Sequence, residues 1–300
     1  MKSLNILFDD VEEQSNSLAA IGPRLQPVKS FSVFDHPICL AHPLRLTAST
    51  WLTHIPFGMA LIDILQPGVL VELGTFSGVS YSAFCQAVKE LRLGTRCYAI
   101  DTWEGDAHGG YYGSEVLADL RQHHDLLYGD FSELIQSSFN DALNRFENGS
   151  IDLLHIDGLH TYAAVKQDFE NWLPKMSQRG VILFHDICVK EADFGVWRLW
   201  GELKAQYANF EMTHGYGLGL LAVGSMLPEQ LKAFVSTNGD LEAIRQQFYQ
   251  LGMRVEEQLT REQTIATQQN AIKELENTVA KFRNNPLFRT YHWLKYLGRR

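Results

Sequence analysis

The stretch VLVELGTFSGVS, residues 69–80, decides the fold class, because an apolar run, a turn with two glycines and the start of a helical pattern follow one another directly. The run VLVEL (69–73) is apolar at nearly every position, which is typical of a strand covered on both faces. After the turn, Tyr81, Phe84 and Val88 recur at helical spacing and predict a helix. A buried strand that leads into a helix indicates a parallel α/β unit.

The same alternation continues along the chain. Apolar runs predict four further strands, with helical patterns between them: RCYAID (96–101), LLYGD (126–130), IDLLHID (151–157) and GVILFHD (180–186). The segments NFEMT and LGLLAV flank HGYG and predict a closing antiparallel hairpin. We therefore expect a Rossmann-like, doubly wound, mostly parallel sheet with a terminal β-hairpin, followed by a C-terminal helical or coiled-coil extension.

Three regions follow from the turn formers and the periodicity. Residues 1–50 predict an irregular N-terminal arm, residues 51–225 the α/β domain, and residues 226–300 a helical extension with a basic amphipathic tail. Within the extension, the apolar positions 241, 244, 248, 251 and 255, and later 265, 272, 275, 279 and 282, predict an amphipathic helix with a coiled-coil seam that loosens around 256–264. We expect homo-oligomerisation through this helix; packing back on the sheet is the alternative.

The charge is distributed unevenly. The chain has a net charge of −9, but residues 281–300 hold six Lys or Arg and no acid, so residues 1–280 carry a net charge of −15. Such an acidic body repels nucleic acid, and we expect no nucleic-acid partner. The tail NNPLFRTYHWLKYLGRR (284–300) is typical of segments that lie on anionic membranes, with docking to a partner subunit as the alternative.

The location follows from what the sequence lacks. It has no run of 18 apolar residues, its first residues do not have the layout of an export signal, and its four cysteines are scattered. We therefore expect a cytoplasmic protein, peripheral at the inner membrane face.

Acidic residues at the predicted strand ends suggest a ligand. Ligands of open parallel sheets bind beyond the carboxyl ends of the strands. The turn is not G-x-G-x-x-G, because position 76 is Phe76, and this disfavours a dinucleotide. Glu72 would suit an ammonium group, Asp101 the two hydroxyls of a ribose, and Asp130 with Phe131 an adenine. Any one of these acids could simply cap a helix, but together they describe S-adenosylmethionine.

Several motifs carry a family resemblance. The segments VELGTFSGVS, AIDTWEGDAHGGYYG, SIDLLHIDGLHTY, GVILFHDI and DFGVWRLW resemble class I S-adenosylmethionine-dependent methyltransferases over roughly residues 50–225. The sequence is closest to small-molecule O-methyltransferases that use a divalent metal, and in particular to the Methyltransf_24-like domains of bacterial glycan and surface-polysaccharide clusters. The resemblance implies methylation of a sugar hydroxyl on a glycan or on a nucleotide- or lipid-linked sugar, with glycosyltransferases as partners.

The resemblance also implies catalytic roles. Asp157 and Asp186, at the ends of the fourth and fifth strands, take metal-ligand positions, with His185 as a further ligand. His160 takes the place of the base, since macrolide-sugar O-methyltransferases share the acid-x-x-His spacing. A metal lowers the pKa of a hydroxyl, and a histidine can accept its proton near neutral pH. The ion would be Mg²⁺, or Mn²⁺ or Fe²⁺ if the softer His185 binds it, and a metal-free site with a core histidine is the alternative.

The complete predicted cofactor site consists of Glu72, Gly74, Thr75, Phe76, Ser77, Gly78, Ser80, Asp101, Thr102, Asp130 and Phe131. Polar and aromatic groups suit a sugar, so the acceptor candidates are Asp106, His108, Tyr112 and His214, with a plain glycine-rich loop as the alternative. Two other functional classes stay open: a nicotinamide-dependent oxidoreductase and a non-catalytic scaffold in a glycan-assembly complex.

Overall fold

The computed structural model describes residues 32–235 and 241–297. The chain divides into two compact units, Met1–Ser30 and Phe31–Arg300, and the second is described here. The first 31 residues of the predicted arm and the last three of the tail lie outside the described residues.

A seven-stranded sheet forms the centre of the second unit. Its strands are β1 (Val69–Leu73), β2 (Arg96–Asp101), β5 (Ser132–Gln136), β6 (Ile151–Ile156), β7 (Met176–His185), β8 (Ala208–Met212) and β9 (Leu218–Ala222). The spatial order is β5-β2-β1-β6-β7-β9-β8, and β9 runs antiparallel to both of its neighbours while the other pairings are parallel. A separate pair, β3 (Gly105–Asp106) and β4 (Gly110–Tyr111), lies in the loop after β2. The predicted fold class is confirmed.

Nine α-helices are present in the described part of the chain. They are α1 (Ile55–Leu65), α2 (Val79–Glu90), α3 (Glu115–Tyr128), α4 (Phe139–Ala142), α5 (Tyr162–Trp172), α6 (Val196–Leu203), α7 (Glu229–Val235), α8 (Leu241–Asn284) and α9 (Pro286–Leu297). Pro286 starts α9, where its missing N–H costs no helical hydrogen bond.

The sheet is covered on both faces. Successive side chains of a strand point to opposite faces, so Leu153 of β6 joins the core with Leu61 of α1, whereas Leu154 joins the core with Phe169 of α5. Every residue of β6 is buried, which explains its continuous apolar pattern. This arrangement leaves the carboxyl ends of the parallel strands at one edge, where the loops can form a site.

The predicted third strand was wrong. Leu117, Leu120, His124 and Tyr128 are buried at helical spacing and carry α3 through most of LLYGD, so the strand forms one segment later, in β5. Asp130 and Phe131 therefore precede that strand, and the Asp130 carbonyl accepts a hydrogen bond from Arg96 at the start of β2. They lie at the amino ends of the strands, away from the edge where a cofactor would bind.

The segments flanking the α/β domain pack on it over part of their length. His36 Nδ1 lies 2.8 Å from Asp63 Oδ2 of α1, and Arg45 donates to the Ser77 carbonyl at 2.6 Å. The first third of α8 buries Phe248 and Gly252 against the domain; a Cβ at Gly252 would lie 2.2 Å from the Thr53 carbonyl oxygen. The rest of α8 extends into solvent. Among the described residues, no helix combines the length and apolar character needed to cross a membrane.

Candidate functional site

A cavity of about 450 Å³ opens at the carboxyl ends of β1, β2, β6 and β7. The chain leaves β1 toward β2 on one side and later returns to β6 on the other, so this edge is the switch point where ligands of such sheets bind. The volume suits a molecule of nucleoside size. Predicted residues in its wall are Gly74, Thr75, Phe76, Ser77, Ser80, Asp101, Thr102, Asp106, Tyr112, Asp157, His160, His185 and Asp186.

The glycine turn forms one side of the cavity. Gly74 has a φ of +84°, and a Cβ there would lie 2.1 Å from the carbonyl oxygen of Asp157, so the turns after β1 and β6 are in direct contact. The Asp157 N–H completes this contact by donating to the Leu73 carbonyl at 2.8 Å. Only glycine allows both the left-handed backbone and the close approach.

Asp101 anchors the glycine turn through hydrogen bonds to its backbone. Its Oδ2 accepts from the N–H groups of Thr75 and Phe76, both at 2.8 Å, and its Oδ1 accepts from the Trp103 N–H at 2.7 Å. A carboxylate offers about four lone-pair positions, so one is left for a ligand in the cavity. The predicted residue is in place, but its main contacts are with the chain itself.

Glu72 was predicted to bind the ligand, and the structure corrects this. It is fully buried, lies outside the cavity wall, and its Oε2 accepts from His155 Nδ1 at 2.8 Å. Trp51 Nε1 can only donate, and it contacts His155 Nε2 at 3.2 Å, so the proton of His155 is on Nδ1. Burial raises the pKa of Glu72. Glu72 therefore fixes His155 and, through it, Trp51 in the cavity wall.

Five further predicted residues lie outside the cavity wall. Gly78 caps α2 with a φ of +77°, and Asp130 and Phe131 lie at the other edge of the sheet. His214 stacks on His54 at 4.8 Å and lies 5.2 Å from the Tyr249 ring of α8, so it packs the helix and does not face the cavity. His108 lies behind the wall in an aromatic stack.

Asp157, His160 and Asp186 converge at the β6–β7 end of the cavity. His160 Nε2 lies 2.9 Å from Asp186 Oδ2 and 3.5 Å from Asp157 Oδ1, yet it has no aligned hydrogen bond. One ligand atom from each residue lies within 4.8 Å of the other two. We call these three residues the cation group, since oxygen and imidazole donors that face one another without hydrogen bonding suit Mg²⁺, Mn²⁺ or Fe²⁺.

His185 contacts this group from behind. Its Nε2 donates to the Gly215 carbonyl at 3.0 Å, and its Nδ1 lies 3.3 Å from an oxygen of both Asp157 and Asp186. The sequence predicted His185 as a metal ligand. In the structure His160, and not His185, has an atom grouped with those of Asp157 and Asp186, while His185 contacts the two carboxylates from behind.

The opposite charges in and behind the cation group shift one another's pKa values. Burial would lower the pKa of His160, but contacts with Asp157 and Asp186 outweigh it and raise the pKa to about 10. Burial would raise the pKa of Asp157, but His185 and His160 outweigh that effect and hold the pKa well below its ordinary value. Asp186 has a left-handed backbone, with a φ of +62°, which is strained for a residue with a side chain and is common at functional sites.

Aromatic and polar groups surround the outer part of the cavity. The rings of Phe76 and Tyr112 lie 5.0 Å apart. Phe194 stacks on His160 at 4.8 Å and on His108 at 4.4 Å, and His108 Nε2 lies 2.6 Å from Asp193 Oδ1. The loops after β2 and β7 are thereby joined beside the cation group.

Sequence reasoning missed several wall residues. Ser138 and Phe139 follow the true third strand, and Trp51 precedes the first helix of the domain. A signal for Ser138 was present, because its hydroxyl accepts from the Asp141 N–H at 3.2 Å, as the Ser-x-x-Asp spacing predicts for a helix start. No motif singled out Trp51.

A comparison with family models finds one similarity. A model described as a methyltransferase domain, Methyltransf_24, matches residues 71–187, which include the glycine turn and the whole cation group. This match agrees with the resemblance that the sequence motifs carry over those residues.

Known proteins show further similarity. The uncharacterized protein y4gI of Sinorhizobium fredii is 44% identical over 228 residues, which are 76% of this chain and 24% of that protein. The chain thus spans about a quarter of that relative's length.

Among solved structures, an O-methyltransferase from Bacillus cereus in complex with S-adenosylhomocysteine has a TM-score of 0.45 and 15% identity, covering 60% of this chain and 84% of that one. The O-methyltransferase TomG from Streptomyces achromogenes, in complex with S-adenosylmethionine, has a TM-score of 0.44 and 14% identity, covering 60% and 82%. With TM-scores below 0.5, neither likeness says what this chain binds.

Proposed function

We propose that this protein, whose residues 71–187 match a methyltransferase-domain model, transfers the methyl group of S-adenosylmethionine to a sugar hydroxyl of a glycan or of a nucleotide- or lipid-linked sugar. One observation carries the proposal: a nucleoside-sized cavity is lined by both the glycine turn and the cation group. The cofactor and the reacting hydroxyl can therefore meet inside a single cavity.

The cofactor lies along the glycine turn in this proposal. The contact of Gly74 with Asp157 fixes the part of the wall along which the amino-acid part would lie, and Asp101 offers its remaining lone pair to a ribose hydroxyl. Ser138 and Phe139 take the place beside the adenine that the sequence had assigned to Asp130 and Phe131.

Methyl transfer is a single displacement. The acceptor oxygen forms a bond to the methyl carbon while the carbon–sulfur bond breaks, and the electron pair stays on sulfur. The products are S-adenosylhomocysteine and a methyl ether. The hydroxyl proton passes to His160 Nε2, which faces the cavity between Asp157 and Asp186. Contact with these two carboxylates raises the pKa of His160 and keeps it protonated near neutral pH, so it can act as the base only when the carboxylates bind a cation instead, which would remove the cause of the raised pKa. The rest of the protein's contribution is to align oxygen, carbon and sulfur.

A divalent cation fits the site. The buried Oδ1 of Asp186 has no aligned hydrogen bond, and the carboxylate oxygens of Asp157 lie close by; hard cations prefer such oxygen ligands. In our proposal Asp157 and Asp186 hold the ion. A bound cation acts as a Lewis acid that lowers the pKa of a hydroxyl.

The acceptor is assigned to the outer part of the cavity. Tyr112 and Phe76 offer aromatic faces, and Asp106 a carboxylate, at the mouth. Sugars present both apolar C–H faces and hydroxyls, so this combination supports a sugar.

Two measurements test these roles. Transfer of radiolabelled methyl groups to candidate glycans and nucleotide sugars should occur and should stop with EDTA; failure with every acceptor class would contradict the sugar assignment. Titration with Mn²⁺, followed by electron paramagnetic resonance, separates the roles of His160. His160→Ala should keep Mn²⁺ affinity within about threefold while Asp157→Asn loses it, and a loss in both variants would make His160 a ligand and not the base.

We also propose that α9 contacts an anionic membrane surface. Leu287, Trp293 and Leu294 are exposed on this short helix, Arg289 and Lys295 lie among them, and no acid follows Glu276. Sedimentation with phosphatidylglycerol vesicles should require residues 286–300, and binding that survives their deletion would refute the proposal.

A further inference from the structure

The distal part of α8 exposes an apolar stripe. Beyond Leu259 every residue of this helix is exposed, and the apolar side chains of the stripe are 49–65% exposed. They are Ile265, Ile272, Leu275, Val279 and Phe282, which we call the distal stripe. Such an apolar stripe is normally packed against another apolar surface, so the spacing of its residues indicates what kind of surface covers it.

The pattern is that of a two-stranded coiled coil. Ile265, Ile272 and Val279 are seven residues apart and take the a positions, and Leu275 and Phe282 take the d positions that follow. β-branched residues at a with Leu at d favour parallel dimers over larger assemblies. A polar Gln268 at the first d position shortens the apolar part to about two heptads.

The flanking charges permit this pairing. In a parallel, in-register pair, each g residue faces the e residue of the partner's next heptad. Ala271 would then face Glu276, and Thr278 would face Arg283, so no like charges meet.

We infer that the distal stripe binds a second copy of this chain as a parallel, in-register coiled coil. The distal stripe exposes apolar area on the order of 500 Å² per helix, so with its flanks a pair would bury about 1,200 Å² in total, the lower limit of specific interfaces. The dimer is therefore of moderate affinity, and it brings the two α9 helices to the same end. This inference does not depend on the proposed function.

Cysteine cross-linking tests the orientation. In a Cys188→Ser background, which removes the exposed cysteine, Ile265→Cys and Val279→Cys should each form disulfide-linked dimers under mild oxidation. Asn277→Cys, at the outward f position, is the matched control and should not. In an antiparallel pair, at most one of the two a positions would form a disulfide with its own copy. A mixture of the Ile265→Cys and Val279→Cys chains would then form disulfides between the two variants. Either this pattern or the absence of a cross-link at both positions overturns the inference.

Sedimentation of the full-length chain gives an independent readout. Ile272→Glu should weaken the dimer by at least tenfold, because it places two like charges in the interface. Asn277→Glu should leave the dissociation constant within about twofold. Circular dichroism and urea unfolding report on the folded domain in each variant and need no ligand, so a failure of the dimer and a failure of the proposed function are distinguishable. A wild-type chain that stays monomeric at 100 µM would refute the inference.

Discussion

Replacing Asp101 by Asn tests how the cavity is held together, and Asp130→Asn is its matched control. Both residues were predicted to bind the cofactor, but Asp101 lies under the glycine turn and Asp130 is exposed at the opposite edge of the sheet. The same chemical change therefore should have opposite consequences at the two positions.

The magnitude follows from three hydrogen bonds. Asn has one acceptor oxygen, so with that oxygen placed toward Thr75 and Phe76, its NH₂ group would face the Trp103 N–H. One charge-assisted bond is lost, two others become neutral, and a buried donor is left unpaired, which together cost about 2–4 kcal/mol. We expect Asp101→Asn to lower the free energy of unfolding by this amount and to weaken S-adenosylhomocysteine binding at least tenfold, because the turn loses its support.

Urea unfolding and titration calorimetry on both variants provide the assay. Asp130→Asn should change stability by less than about 0.5 kcal/mol, as surface substitutions do, and should leave ligand affinity unchanged. Wild-type behaviour of Asp101→Asn in both assays, or weaker ligand binding by Asp130→Asn, would refute the supporting role of Asp101.

Three further predictions concern other parts of the domain. Burial raises the pKa of Asp168 to about 7, so between about pH 4 and 7 the folded state binds more protons than the unfolded state and stability falls as the pH rises. Asp168→Asn removes this loss of stability and should stabilise the protein by up to about 4 kcal/mol at pH 8 and much less at pH 4. Urea unfolding at the two pH values measures the difference, and equal effects at both would contradict the raised pKa. Gly74→Ala should destabilise the fold by more than 3 kcal/mol, because its Cβ would overlap the Asp157 carbonyl, whereas Gly94→Ala, with open space around it, should unfold like the wild type. Gly252→Ala should separate the start of α8 from Thr53 and increase hydrogen exchange there, and unchanged protection would contradict that packing.

The sequence predicted the sheet well because the pattern of buried strands depends on local residues. The carboxyl ends of β1 and β2 were predicted at the observed residues and those of β6 and β7 one residue too late, so Asp101, Asp157, His160 and Asp186 lie at the predicted edge of the sheet. The third strand was displaced because Leu126 and Leu127 read as strand residues, while helical burial through Tyr128 continues α3. Tertiary packing overrode the local pattern there.

The wrong site assignments have a second physical cause. A strand position does not tell whether a side chain reaches the cavity or the core, and Glu72 is held by His155, a residue 83 positions away. In the same way, the contact between His160 and Asp186 depends on the pairing of β6 with β7 and not on the number of residues between them in the sequence. Such partners become visible only when the strands are placed side by side.

Titration calorimetry of the wild-type chain with S-adenosylhomocysteine, with NAD as the comparison ligand, tests the central claim most directly. One S-adenosylhomocysteine should bind per chain with micromolar or tighter affinity, and NAD should give no heat of binding. A chain that binds NAD, or that binds neither ligand, would contradict the assignment of the cavity to a methyl donor.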